Sequence, residues 1–151
     1  MTSKENGITD LFGQHDAIRA QMKFLTDSLK ELAIQSDSAG KKSVQVKEQL
    51  QSYLYALRDL RDGVINHIEL DERIFGAHSP KVSDKSLAIE HKNIRNQIDR
   101  AIQLTEGAIE GKYSGEELNQ RVSEIMETVD KIRRLIKNHT AKEDRLLKST
   151  R

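Results

Sequence analysis

The stretch "LNQRVSEIMETVDKIRRLIKNHTAKEDRL", residues 118–146, decides the fold. Leu118, Val122, Ile125, Val129, Ile132, Ile136, His139, Glu143 and Leu146 follow one another in steps of four and three. Residues so spaced share one face of an α-helix, and an apolar stripe of that kind is the inward seam of a helix in a bundle. Two members of this seam, His139 and Glu143, are polar.

Three further segments step in the same way. The first runs Leu11, His15, Ile18, Met22, Leu25, Leu29, Leu32. The second runs Leu50, Tyr53, Leu57, Leu60, Val64, His67, Asp71, Ile74. The third runs Leu87, His91, Ile94, Ile98, Ala101, Thr105, Ala108. Between them lie "QSDSAGKKS", centred on Gly40, "GAHSPKVSD", with the single proline Pro80, and "EGKYSGEE". Glycine, proline and short polar residues are the usual punctuation between helices. Ser114 and Glu117 have capping-box spacing, which predicts Ser114 as the N-cap of the fourth helix. The predicted helices span 8–34, 43–77, 84–110 and 115–148, and no segment reads as a strand. Short connections make neighbours antiparallel, so the expected fold is all-α, one domain over 1–151, an up-down-up-down antiparallel four-helix bundle.

The halves of the chain repeat. "HDAIR" from His15 matches "HKNIR" from His91, and "HIELDERIF" from His67 matches "HTAKEDRLL" from His139. Each half reads His-x-x-Ile-Arg, then His-x-x-x-(Asp/Glu)-(Asp/Glu)-Arg, as a duplicated helical hairpin would.

Six seam positions carry groups able to bind metal: His15, His67, Asp71, His91, His139 and Glu143. His15 and His91 lie near the starts of the first and third helices, the other four near the ends of the second and fourth. In an antiparallel bundle those starts and ends share one end of the molecule, so all six converge. If a seam takes about three positions in seven, chance puts six independent residues there in roughly 0.6% of cases. Burying four imidazoles and two carboxylates is costly unless something satisfies them, and a cation does so directly. A histidine and a carboxylate four apart lie one turn apart on one face, about 5–6 Å between Cβ atoms, and can reach the same ion. A carboxylate has two oxygens and can bridge two ions. The alternative is that the six satisfy one another as a buried polar network.

The composition narrows the function classes. Net charge is +1 and the densest basic run, Lys131, Arg133, Arg134 and Lys137, has Asp130 and Glu127 beside it, so it reads as a solvated face and not as a nucleic-acid surface. No cysteine is present, which excludes disulfides, thiolate metal sites and cysteine nucleophiles. "MTSKENGITD" has no apolar stretch and no run reaches membrane-spanning length, so no membrane association and a cytoplasmic location are expected. The Glu-x-x-His pairs of ferritin-like bundles and the His-Glu-x-x-His of zinc proteases are both absent.

At these residues the sequence resembles the hemerythrin-like, or HHE cation-binding, family. The likeness extends from about His15 to Leu147: a lone His, His-x-x-x-carboxylate, a lone His, His-x-x-x-carboxylate, one motif per helix. The resemblance implies a di-iron site, oxo- or hydroxo-bridged, with His15, His67, His91 and His139 as terminal ligands and Asp71 and Glu143 as bridges. Manganese or zinc would accept the same donors. It implies a protein that binds or senses O2 or a related small ligand such as peroxide or NO. The rival expectation is redox chemistry in peroxide or NO detoxification or iron-centre repair. Two departures stand out. Oxygen-carrying hemerythrins have a second His one turn from the ligand on the third helix, where this chain has Leu87 and Arg95. Asp71 stands where relatives carry Glu; Glu72 is adjacent but rotated about 100° off the seam. Counting donors leaves about one exchangeable position per octahedral metal.

Other residues carry two readings each. His78 is a loop histidine or a fifth ligand. Arg19 and Arg95, one turn from His15 and His91, orient groups behind the site or pair with surface acids. Gly63, one turn before His67, leaves room at the site or is merely tolerated. Tyr53 reads as core.

Overall fold

A computed structural model describes residues 3–37, 43–78, 84–113 and 115–149, apart from the side chains of 3–8, 33–37, 43–44, 75–78, 84–86, 147 and 149. Four helices make up the fold: α1 (Ser3–Asp37), α2 (Ser43–His78), α3 (Asp84–Glu110) and α4 (Glu116–Ser149). No strand occurs among the described residues. α1 begins earlier than its seam predicts, because Gly7 costs a helix only about 1 kcal/mol relative to Ala and does not stop it. α2 includes Gly76 and ends at His78, so His78 closes a helix instead of sitting in a loop; its side chain lies outside the described residues.

α4 opens at Gly115, whose carbonyl accepts from the amide of Asn119 at 3.1 Å. Its φ of 57° is a left-handed conformation that glycine adopts without a Cβ clash. Ser114, expected as the cap, lies outside the described residues.

The stepped residues are buried as their spacing requires. Every seam position on the four helices is buried except Ile74 and Leu146, which are half-buried. α1 and α3 each pack against both α2 and α4, so the helices surround a shared core as a four-helix bundle. The start of α2 lies beside the end of α3, where the Lys47 ammonium donates to the Gly111 carbonyl at 2.8 Å. That contact satisfies a carbonyl left over at the helix end and complements its dipole.

The core has two parts. The larger extends from Ile18, Val64, Ile94 and Ile136 to Val46 and Leu118 at the other end. The smaller consists of buried Leu11 and Leu87 with Phe12, Leu70, Ile74 and Leu146 packed on them. On α1, α3 and α4 the polar seam residues stand between the two in sequence, and on α2 His67 and Asp71 lie where the two parts meet. The other buried polar groups are threonines that bond back to their own helix: Thr105 to the Ala101 carbonyl, Thr128 to Glu124 and Thr140 to Lys137. The histidine–carboxylate layer, by contrast, takes its partners from other helices. Among the described residues, no helix is long and apolar enough to cross a membrane.

Candidate metal centre

All six expected ligands are buried: His15 and Glu143 are 0% exposed, Asp71 1%, His67 and His139 3%, and His91 5%. The seam steps place them there, and the apolar residues one turn either side seal the layer from both directions. Glu72 is exposed, so Asp71 is the carboxylate that α2 turns inward.

His67, Asp71, His139 and Glu143 each offer a ligand atom within 4.8 Å of all the others, and this group could hold a metal ion. His15 and His91 flank it. Nε2 of His15 lies 3.6 Å from Glu143 Oε1, and Nε2 of His91 lies 2.8 Å from Asp71 Oδ2. The contacts cross between helices more than along them. Glu143 Oε1 meets His67 Nε2 on α2 at 2.9 Å as well as His139 on its own helix. His139 Nε2 in turn stands 3.1 Å from His91 Nε2 and 3.7 Å from Asp71 Oδ2.

The outer ring nitrogens fix how the inner ones can act. His15 Nδ1 donates to Asp144 Oδ1 at 2.7 Å, His67 Nδ1 to Gln14 Oε1 at 2.9 Å, and His139 Nδ1 to Glu90 Oε2 at 3.3 Å. An amide or carboxylate oxygen accepts only, so each of these Nδ1 atoms carries the proton. In the neutral ring Nε2 then has a lone pair aimed at the centre. A lone pair facing a carboxylate oxygen repels it unless a proton or a cation lies between them.

The six do not satisfy one another. His15 Nε2, Asp71 Oδ1 and Glu143 Oε2 are buried with no hydrogen-bond partner. All three are electron-pair donors of the kind that ligate a metal, and unpaired they carry a desolvation cost. The residues present therefore fit a cation at this level of the bundle, and imidazole with carboxylate suits iron, manganese or zinc.

Electrostatics agree. Burial works to lower the pKa of His139, but hydrogen bonds and charge from Asp71 and Glu143 overcome it and hold the ring up at about 10. His15 is raised in the same way, Glu143 and Asp144 outweighing its burial. Burial pushes Asp71 up. Burial would raise Glu143 too, but His139, His15, His67 and Asp71 hold it far below the carboxylate range. The layer demands positive charge, as bound protons when it holds nothing else.

Gln14, Glu90 and Asp144 are histidine partners that seam reading passes over. Each sits one residue off the seam, beside His15, His91 or Glu143. Asp144 is itself held by Arg19 at 2.9 Å, and Glu90 by Lys142 at 3.5 Å. Arg19 thus orients a group behind the site while also touching Asp16 at 3.4 Å. Arg95 is exposed and makes no ion pair among the described residues. A Cβ at Gly63 would meet Gln21 Oε1 at 3.4 Å, an ordinary contact, so that glycine is tolerated and does not make room for the site. Tyr53 is buried in the main core, and burial raises its pKa.

No family model, no curated protein and no solved structure matches the chain.

Proposed function

We propose that this chain is a hemerythrin-like up-down-up-down bundle that holds two iron ions at the buried layer, and that it binds or senses O2 or a related small ligand there. Asp71 and Glu143 would hold both ions, and His15, His67, His91 and His139 would complete the ligand sets. One observation carries the reading: four buried imidazoles and two buried carboxylates meet at one level, and three of their inward donor atoms have no partner. Iron is preferred over zinc because the motif order along the helices resembles the hemerythrin-like pattern.

When bound, such an iron pair supplies redox electrons and exchangeable positions for a small ligand. The chain supplies the surroundings. Gln14, Glu90 and Asp144 orient three of the four rings by accepting hydrogen bonds from their Nδ1–H groups. Leu11 and Leu87 on one side, and Ile18, Ile94 and Ile136 on the other, keep bulk water out.

Metal analysis with an optical spectrum of the protein as isolated tests this. Close to two irons per chain are expected, with near-ultraviolet charge-transfer absorption in the oxidised form. Stoichiometric zinc with no iron uptake in iron-replete cells, or no metal at all, would overturn it.

A further inference from the structure

A groove between α1 and α4 includes none of the six proposed ligands in its lining. Its volume of about 380 Å³ falls inside the roughly 300–1,000 Å³ of small-ligand clefts. The floor is Met22 and Ile136, both 4% exposed, with Thr26, whose hydroxyl is turned back onto the Met22 carbonyl at 2.8 Å. The walls are four long cationic side chains, Arg19 and Lys23 on α1, Arg133 and Lys137 on α4. Such chains lay their aliphatic stems along apolar surface and keep their charged heads in water. The heads are not equivalent. Arg19 is taken by Asp144 and Asp16, and Arg133 by Asp130. Asp130 also holds Arg134 at 3.0 Å, so most of the basic run on α4 is neutralised as its sequence suggests. Lys23 and Lys137 are exposed and make no ion pair among the described residues. On α1 Arg19, Lys23 and Asp27 follow one another by single turns. The groove is therefore positive at the end nearer the histidine layer and carries a carboxylate at the other.

We propose that this groove is a binding site for a free amphipathic monoanion, a carboxylate on an apolar chain, with the chain laid over Met22 and Ile136 and the carboxylate held by the ammonium groups of Lys23 and Lys137. Charge complementarity selects this occupant. Two unpaired ammonium groups attract one anionic group, and Asp27 repels a second at the far end, which disfavours dicarboxylates. Planar, bidentate recognition of phosphate falls to arginine, and both arginines here are already engaged, whereas lysine serves a carboxylate as a point charge. A stable protein partner would need about 1,000 Å² of complementary surface. None of the exposed large apolar side chains Phe24, Tyr55 and Ile89 lines the groove. Because no groove residue is a proposed metal ligand, this site stands or falls apart from the two-iron reading.

Octanoate is the probe, titrated into the protein as isolated and followed by calorimetry and by amide shifts in NMR. Saturable binding at a single site is expected, with the shifts centred on Met22, Thr26 and Ile136. Octylammonium, with the opposite charge, and acetate, with no chain, should not bind. Affinity should fall with added salt, since exposed charges are screened. Lys23→Gln and Lys137→Gln alter exposed side chains and should fold normally. Each should weaken octanoate by about two- to fivefold, the range of an exposed ion pair. Thr26→Met, which fills the groove without touching a charge, should abolish binding. No saturable octanoate binding, equal binding of octylammonium, or an affinity unchanged when both lysines are replaced would each overturn the proposal. Binding to phosphatidylglycerol vesicles with no response to free octanoate would assign the two lysines to a lipid surface and overturn it as well.

Discussion

Nε2 of His67 lies 2.9 Å from Oε1 of Glu143, so the carboxylate of α4 serves a histidine of α2 as well as its own His139. Asp71 mirrors this by meeting His91 of α3 at 2.8 Å. Each carboxylate therefore ties helices from both halves, and a bridge serves both proposed ions. Asp71→Ala and Glu143→Ala should each abolish stable loading, with less than about a tenth of the metal retained after dialysis, given that even outer contacts are worth about 10–100-fold. Glu72→Ala should keep full occupancy, since Glu72 is exposed. Metal content by mass spectrometry checks this. Full loading of Asp71→Ala with loss in Glu72→Ala would reverse the assignment on α2.

The metal-free protein should depend on pH in a defined direction. The folded pKa of His139 is raised from 6.5 to about 10, mainly against its burial and by Asp71 and Glu143. A raised pKa contributes stability that is whole below about 6.5 and is lost as pH climbs through about 10. His15 is shifted in the same direction. Metal displaces those protons, and a ligand binding only the native state adds about 2.7 kcal/mol at a hundredfold excess over its Kd. The Tm gap between loaded and metal-free protein should thus widen from pH 6.5 to 9. Loading at pH 7.5 should also release at least about one proton per chain, measurable by calorimetry in buffers of different ionisation enthalpy. Equal Tm values with and without metal would remove the case for a buried site.

The four helices and the inward face of each were legible because step-four-step-three spacing is a property of single segments. Asp71 over Glu72 was legible for the same reason, since one residue of offset turns a side chain by about 100°. The cross-helix pairing of His67 with Glu143 was not, because it depends on the rotation of α2 against α4, which no local pattern carries. Gln14, Glu90 and Asp144 lie one residue off the seam, where polar side chains are ordinary and nothing local separates an anchor from a solvated charge. The second carboxylate of the His-x-x-x-(Asp/Glu)-(Asp/Glu)-Arg repeat was the one available signal, and it points to Asp144 correctly and to Glu72 without a contact to match.

The main core should tolerate damage that leaves the site intact. Leu57 is fully buried there, more than two turns before His67 on α2. Leu57→Ala should cost about 2–5 kcal/mol through lost burial and the cavity left behind. It should show as a lower denaturant midpoint in the metal-free protein, with metal stoichiometry unchanged at saturation. A matching loss of stoichiometry would mean that the metal layer and the main core are one cooperative unit.

The proposed centre should hold O2 only briefly. Of the two positions one turn from His91, Leu87 is buried in the small apolar cluster with Leu11, and Arg95 is exposed. Neither supplies an imidazole, so the proposed centre has four histidines where an oxygen carrier of the resembled family has more. The reduced protein should then react with O2 within a stopped-flow mixing experiment and pass to the oxidised form without a stable oxygenated stage. Leu87→His puts a further ring at the buried position and should lengthen the life of an oxygenated band at least about tenfold, equivalent to about 1.4 kcal/mol in the decay barrier. Leu87→Ala, which opens the cap without adding a ligand, should shorten it. A band in the unaltered protein that fades under argon and returns with air would show a carrier. Rapid decay coupled to turnover of added peroxide or NO would favour the stress-related redox reading instead.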